Sequence, residues 1–414
     1  MLQPVRGTKD LLPEDSAVYR KVIDTVYAVA LKYHFKEIHT PVFEFSQVFQ
    51  RTLGETSDIV SKEMYTFLDR GGESITLRPE GTAPIIRAII SNGLTQNLPL
   101  KLFYSGPMFR YERPQKGRQR QFHQVGVELI GPKTPLADAE TIALGYDVLK
   151  SLNLDKNAVL NINTLGDLES RNAYRTALIN YLQQYKNNLS KDSQERLERN
   201  PLRILDSKDE KDREILQNAP LFQASLNLES SRYFEGVIQY LSDLNIPYVH
   251  NQQLVRGLDY YCHTAFEFVT NDLGAQGTIL AGGRYDGLMK QMGGPDTPGI
   301  GWAAGIERLC LMLKDTPPTL SNLISVIPAS INEEAVALKI TQRLRDVGLH
   351  VGLGYSGNMS KRLKKAAQDN SIAAIIIGEN EIASNTALVK FLADSHQEYV
   401  PFNTLPNFLK TKLF

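Results

Sequence analysis

Net charge, cysteine and long apolar runs are missing or scarce in this sequence. Lys+Arg and Asp+Glu both number 46, which leaves a formal charge of zero. A polycationic surface is therefore excluded, and any nucleic-acid binding must rely on local patches. The chain has two cysteines, Cys262 and Cys310. They lack metal-site spacing, so free thiols in a reducing compartment are expected. No apolar core follows the N-terminal MLQPVRGTKDLLPED, and no run approaches membrane-spanning length. The expectation is a cytoplasmic protein with no membrane contact. At 414 residues, 42% of them hydrophobic and 22% charged, the chain has the composition of an ordinary folded protein. Its length suggests two or three domains with ample core.

Against this plain background stands residues 103–130, FYSGPMFRYERPQKGRQRQFHQVGVELI. It reads as two strands joined by a very polar loop. The loop carries Arg113, Gln115, Lys116, Arg118 and Arg120 against a single acid, Glu112. The return strand alternates with period two, placing Phe122, Gln124, Gly126 and Glu128 on one face and His123, Val125, Val127 and Leu129 on the other, more apolar face. Gly126 is expected to leave an open floor where a ligand backbone could lie. An amphipathic hairpin with a solvated basic tip would share these features.

Upstream, Val18, Val22, Val26 and Val29 recur at helical spacing within residues 14–33. Residues 35–44, FKEIHTPVFE, read as a strand at an edge or interface, because Pro41 cannot donate to a central ladder. LRPEGT (residues 77–82) runs into a helix, so Glu80 and Thr82 either cap that helix or receive a ligand ammonium and supply a hydroxyl. Residues 167–247 are polar and helical with alternating charge. RGLDYY (256–261) pairs Arg256 with Tyr260 and Tyr261, and AGGRYDG (281–287) is a glycine-rich turn containing Tyr285. In GIGWAAGIERL (299–309) a strand enters a helix bearing Arg308. After a linker at residues 315–319 the pattern becomes short alternating elements: strands at 323–328, 350–353 and 373–377, with helices at 333–346 and 361–369. The second helix opens with Lys361, Arg362, Lys364 and Lys365.

FRYERP followed by GRQRQFHQ resembles motif 2 of the class II aminoacyl-tRNA synthetases, and QFHQVGVE resembles its histidyl-tRNA synthetase form. Residues 35–44 are similar to motif 1 and residues 299–309 to motif 3. LRPEGT, RGLDYY and AGGRYDG resemble histidyl-type signatures. The resemblance implies an α+β fold, in which helices flank the class II antiparallel catalytic sheet. It also implies a helical insertion and a C-terminal α/β anticodon-binding domain. The expected division is 1–166 (core, motifs 1 and 2), 167–247 (insertion), 248–316 (core, RGLDYY, AGGRYDG and motif 3) and 317–414 (anticodon-binding).

The activity implied is ATP-dependent activation of L-histidine as the adenylate and its transfer to the 3′ end of tRNA-His. The family's histidine site maps onto Glu80, Thr82, Arg110, Gln124, Glu128, Arg256, Tyr260, Tyr261 and Tyr285. Within it, Glu128 and Tyr261 border the imidazole, and Arg110 and Arg256 are catalytic. ATP falls to Arg110, Phe122 and Arg308, with Mg²⁺ on the phosphates, no ligands assigned to it, and no tightly bound cofactor. Arg113, Gln115, Lys116, Arg118 and Arg120 are expected at the tRNA acceptor end, and Lys361, Arg362, Lys364 and Lys365 at the anticodon. Motif 1 implies a homodimer. The competing reading is a histidine-sensing, non-catalytic regulatory subunit of ATP phosphoribosyltransferase. Such paralogues lack the C-terminal domain and parts of RGLDYY, whereas this chain retains both.

Overall fold

The computed structural model describes residues 2–53, 59–255, 260–274, 277–313 and 322–413. The expected linker at 315–319 and Arg256 lie outside the described residues. Contacts divide the chain into two compact units, residues 1–317 and 318–414.

The first unit begins α1 (Pro13–Lys32), β1 (Lys36–Glu37), β2 (Phe43–Phe45), α2 (Gln47–Leu53), β3 (Tyr65–Leu68), β4 (Ser74–Leu77) and α3 (Thr82–Ser91). It continues through β5 (Leu100–Phe109), β6 (Gln121–Ile130), α4 (Pro135–Ser151) and β7 (Val159–Thr164). Four helices follow: α5 (Leu168–Gln183), α6 (Lys191–Arg199), α7 (Glu210–Leu216) and α8 (Leu228–Asp243). It ends with β8 (Tyr248–His250), β9 (Cys262–Val269), β10 (Thr278–Arg284), α9 (Leu288–Gln291), β11 (Gly299–Gly305) and α10 (Ile306–Met312). The main sheet has the order β1-β5-β6-β11-β10-β9-β7-β8. It is antiparallel except at its edges, where β1 joins β5 and β8 joins β7 in parallel.

The period-two pattern of β6 decides which face is which. Val125, Val127 and Leu129 are buried in one cluster with Val22, Val26 and Val29 of α1, Ile142 and Leu144 of α4, and Ile306 and Leu309 of α10. Burying side chains of this size stabilises by roughly 1.5–3 kcal/mol each. Phe122, Gln124 and Glu128 are left on the opposite face. Residues 167–247 are largely helical, as their polarity predicted. Packing separates α8 from the rest, however: Phe234, Val237 and Leu241 join the cluster that covers the sheet. Residues of α5–α7 pack in a different cluster, around Tyr174, Leu178, Leu197 and Leu216.

A buried ion pair ties α4 to the sheet. Asp138 and Arg284 are both wholly inaccessible, and Arg284 Nε lies 3.0 Å from the carboxylate. Thr264 of β9 also donates to Asp138. Arg284 further donates to the Pro132 carbonyl at 3.2 Å and to Asp286 at 2.8 Å. The β9–β10 ladder shifts register between Gly283 and Arg284, just before Tyr285.

The second unit contains β12 (Ile324–Pro328), α11 (Glu334–Asp346), β13 (Val351–Leu353), α12 (Met359–Gln368) and β14 (Ala373–Ile377). These agree with the sequence reading. Four more elements were not anticipated: α13 (Glu379–Ala383), β15 (Thr386–Phe391), β16 (Gln397–Pro401) and α14 (Leu405–Leu413). The sheet order is β13-β12-β14-β15-β16, parallel across the first three strands and antiparallel beyond. One expectation fails here. Arg362 is not on a basic face with its neighbours; it is 8% exposed, donates to the Pro328 carbonyl and lies 3.4 Å from Glu334. Together with Ala366, four residues on, it forms the inner stripe of α12. Lys361, Lys364 and Lys365 remain exposed.

The Asp138–Arg284 pair yields a stability prediction. Asp138→Asn leaves the buried guanidinium with only the partly exposed Asp286 as counter-charge and should cost a loss approaching the roughly 3–5 kcal/mol of a broken buried pair. The double variant Asp138→Leu/Arg284→Met removes both charges and should recover most of that loss. Urea denaturation of the two variants would check it; a single-variant loss below about 1 kcal/mol would show that the pair does not hold α4 to β10.

Candidate active site

A cavity of about 220 Å³ opens on the sheet face that carries Phe122 and Gln124. The start of α3 contributes Glu80 and Thr82, and the β5–β6 hairpin contributes Arg110, Glu112, Arg118, Phe122 and Gln124. Tyr260 and Tyr261, β10, β11, and Glu307 and Arg308 of α10 complete the wall. These residues are scattered over more than 200 positions of sequence, and β6 brings them together. It pairs with β5 on one side and β11 on the other, with Gly126 opposite Tyr104 and Ala303, and Glu128 opposite Leu102 and Gly301.

Glu128 lies behind this wall, 1% exposed. Thr82 Oγ1 donates to one of its oxygens at 2.7 Å and the Tyr285 hydroxyl donates to the other. Burial pushes the carboxyl up to about 8, although both hydrogen bonds and their donors favour the charged form. The resemblance placed Tyr285 in the same pocket as Glu128, and the structure bonds the two directly. Tyr261 lines the cavity with its ring 4.7 Å from that of Tyr260, which in turn meets Tyr285 edge-on at 5.8 Å. Glu80 realises the capping alternative, since its two oxygens accept the backbone N–H groups of Thr82 and Ala83 at 2.7 Å each. It faces the cavity as well, and burial raises its pKa.

The expected open floor at Gly126 is not there. A Cβ on Gly126 would come 2.5 Å from Cζ of Tyr104, so the cross-strand ring occupies the gap. The glycine makes room for a protein side chain and not for a ligand. Tyr104 was missed because pairing partners are not visible in a single strand's pattern.

Three guanidiniums converge at the other end of the cavity. Arg110 donates to the Pro79 carbonyl at 2.8 Å and lies 5.3 Å from the centre of the Phe122 ring. Arg308 donates to the carbonyls of Gly117 (3.2 Å) and Thr278 (2.6 Å). Arg118 was expected on the tRNA-facing loop, but it turns into the cavity and pairs with the buried Glu112. Burial lowers the pKa of all three, and Arg118 and Arg110 lower that of Arg308 further. Arg120 is also partly withdrawn, with its guanidinium 3.8 Å from the Tyr111 ring centre and Nε 3.2 Å from the Glu112 carbonyl. Arg113, Gln115 and Lys116 are exposed on the loop.

Glu307, not singled out in the sequence, fastens α10 to β6. Its carboxylate accepts the backbone N–H of His123 at 3.0 Å, and His123 Nδ1 lies 2.8 Å away. That holds Phe122 and Arg308 in fixed relation. Among the described residues no three His, Cys, Asp or Glu side chains converge to hold a metal. Cys262 and Cys310 are free thiols raised to about 12 by burial, which makes them poor nucleophiles. No helix among the described residues is long and apolar enough to cross a membrane.

Comparison with known proteins agrees with this geometry. Residues 7–309 match the family model described as histidyl-tRNA synthetase, and residues 324–412 match an anticodon binding domain. The histidine–tRNA ligase of Rhodospirillum rubrum is 56% identical over 408 residues, spanning 99% of this chain and 98% of the relative. That of Gluconacetobacter diazotrophicus is 53% identical, with the same coverage. The crystal structure of apo S. aureus histidyl-tRNA synthetase superposes with a TM-score of 0.83 at 36% identity, covering 99% of this chain and all of the other. A site on an antiparallel sheet, the order of its motifs and full-length likeness all lead to one conclusion: the chain belongs to the histidyl-tRNA synthetase family.

Proposed function

We propose that this enzyme activates L-histidine with ATP and transfers the histidyl group to tRNA-His. The carrying observation is a single cavity with cations at one end and the buried Glu128–Thr82–Tyr285 group behind the other. The regulatory-subunit alternative is not favoured, since the chain carries an anticodon binding domain and matches histidine–tRNA ligases along its whole length.

In the first step a histidine carboxylate oxygen attacks the α-phosphorus of ATP, and pyrophosphate leaves with the breaking P–O bond. Such a displacement needs positioning and cancellation of negative charge. Arg110, deep in the cavity, grips the α-phosphate and the attacking carboxylate, and Arg256 joins it on the strength of the RGLDYY resemblance. Arg308 receives the γ-phosphate, and Phe122 offers adenine an aromatic face. The position of Arg118 supports moving it from the acceptor-end set to the phosphates. Glu80, Thr82 and Gln124 take the α-amino end, and Glu128, Tyr285 and Tyr261 the imidazole side. Mg²⁺, if it accompanies ATP, would neutralise phosphate charge; among the described residues no three His, Cys, Asp or Glu side chains converge to hold it. In the second step the terminal ribose hydroxyl attacks the adenylate carbonyl and AMP leaves.

Arg113, Gln115 and Lys116 project from the hairpin loop toward the acceptor end, and Lys361, Lys364 and Lys365 serve the anticodon arm. The working form is a cytoplasmic homodimer. Phe45 and Phe67 flank Ile75 in one register row of the small β2-β4-β3 sheet and are 57% and 49% exposed. A second copy covering this apolar row through motif 1 accounts for it.

The activity itself is checked by pyrophosphate exchange into ATP: histidine, and no other amino acid, should support it, and its failure to do so would sink the reading. In that assay Glu128→Gln should raise the histidine KM about tenfold or more while leaving the ATP KM within about twofold. The same variant has a pH signature. The carboxyl titrates near 8 when folded and about 4.3 when unfolded. The folded state therefore keeps the proton across that window, and stability falls as pH rises through it, by at most about 1.4 kcal/mol per pH unit. Glu128→Gln removes this contribution, so its stability relative to wild type should climb between pH 5 and 8. A flat difference in urea denaturation would place the carboxyl in water.

For the second unit, replacing Lys361, Lys364 and Lys365 together with glutamine should raise the tRNA KM and flatten its salt dependence by roughly 0.7–0.9 in log–log slope per lost phosphate contact. Histidine-dependent exchange should persist. An unchanged tRNA KM and salt slope would make these lysines a solvated face.

A further inference from the structure

Tyr104 stands on β5 opposite Gly126 of β6 and is 5% exposed. Its ring is threaded between two glycines. A Cβ on Gly126 would lie 2.5 Å from both Cζ and Oη of Tyr104, and one on Gly81 would lie 2.4 and 2.7 Å from the same atoms. Gly81 sits between Glu80 and Thr82; Gly126 is two residues from Gln124 and two from Glu128. The phenol tip is thus held among the groups that take the amino acid. Yet among the described residues its buried hydroxyl has no hydrogen-bond partner, and neither has the buried Oε1 of Gln124. A phenylalanine would fill the same gap without removing a hydroxyl from water. Packing therefore accounts for the ring and leaves the oxygen unexplained.

Both orphan oxygens can accept, although the phenol can also donate, and an ammonium, with three N–H bonds and no acceptor, would satisfy the accepting side of both. We propose that Tyr104 is a further specificity-determining residue whose hydroxyl oxygen, with Gln124 Oε1 and Glu80, receives the α-ammonium of the amino-acid substrate. The inference rests on the histidine reading above. It adds the Tyr104 oxygen to the groups already assigned to the α-amino end. Two glycines are then required to bring that oxygen to the site, which explains small residues at both positions.

Tyr104→Phe in the full-length enzyme tests it, because the ring and hence the fold are kept. The histidine KM in pyrophosphate exchange should rise about tenfold, with the ATP KM within about twofold. Two inhibitors locate the contact. Histidinol keeps the ammonium and lacks the carboxylate, so its Ki should rise with the histidine KM. Imidazole-lactate keeps ring and carboxylate but carries a hydroxyl for the ammonium, so its Ki should stay within about twofold. The ligand-free melting temperature should not fall. The proposal is overturned if histidine and histidinol are both unaffected, if imidazole-lactate weakens as much as histidinol, or if the ligand-free variant melts lower, since the hydroxyl would then serve water, the ring or the fold. Absence of histidine-dependent exchange in the wild-type enzyme would instead overturn the activity, and this assignment with it.

Discussion

A carboxyl group cut off from water must share its charge or give it up, and Glu128 is under that constraint. Its oxygens are bound by Thr82 from the start of α3 and Tyr285 from just beyond β10, so three distant segments meet on one side chain. The strand pairing has to make room for it. Gly301, opposite on β11, could not carry a Cβ, which would fall 1.9 Å from Oε2. The position of Tyr285 depends in turn on the register shift before it and on the Arg284–Asp138 pair that holds the strand's end against α4. A neutral carboxyl at rest is the cheaper solution: it can donate as well as accept, and it leaves no naked charge behind the cavity wall.

The opposite end of the cavity is under the reverse constraint. Arg110 and Arg308 donate to main-chain carbonyls, while Arg118 has the carboxylate of Glu112. Like charges so close are costly where water is scarce, and the protein keeps them because the fold fixes each guanidinium by its own carbonyl or acid. On the proposed placement of ATP little reorganisation would then be needed, and this is the condition under which electrostatic stabilisation is most effective. The Glu307–His123 link serves the same end, locking the helix that bears Arg308 to the strand that bears Phe122.

Much of this was legible in the sequence because periodicity and motif order are local properties. The alternation of residues 121–130 placed Phe122, Gln124 and Glu128 on the site face and Val125 and Val127 in the core, and both faces are as read. What was not legible depends on partners across strands. Gly126 looked like space for a ligand until Tyr104 came opposite it, and the direct bond from Tyr285 to Glu128 could not be seen from either segment alone. Arg118 and Arg113 belong to one loop and look equivalent, but the buried Glu112 draws only the former inward. Arg362 is different, since its placement could have been read. In an amphipathic helix it shares a stripe with Ala366, and a basic run hid the period. The strands and helices after residue 378 are short and carry weaker signals.

Selectivity follows from how the two ends are built rather than from size. An apolar side chain as large as imidazole would enter a space backed by Glu128 and Tyr285 and leave their polar atoms without partners once Thr82 or Tyr285 shifted to admit it. Sites whose specificity rests on unpaired polar groups discriminate far more strongly than sites that measure a methylene. On the proposed assignment histidine meets the condition, because its neutral ring carries one donor and one acceptor and a carboxyl and a phenol would meet them. The proposed assignment ties recognition to chemistry: only a substrate that satisfies the buried group would leave its carboxylate beside Arg110, where the cations would favour attack on phosphorus.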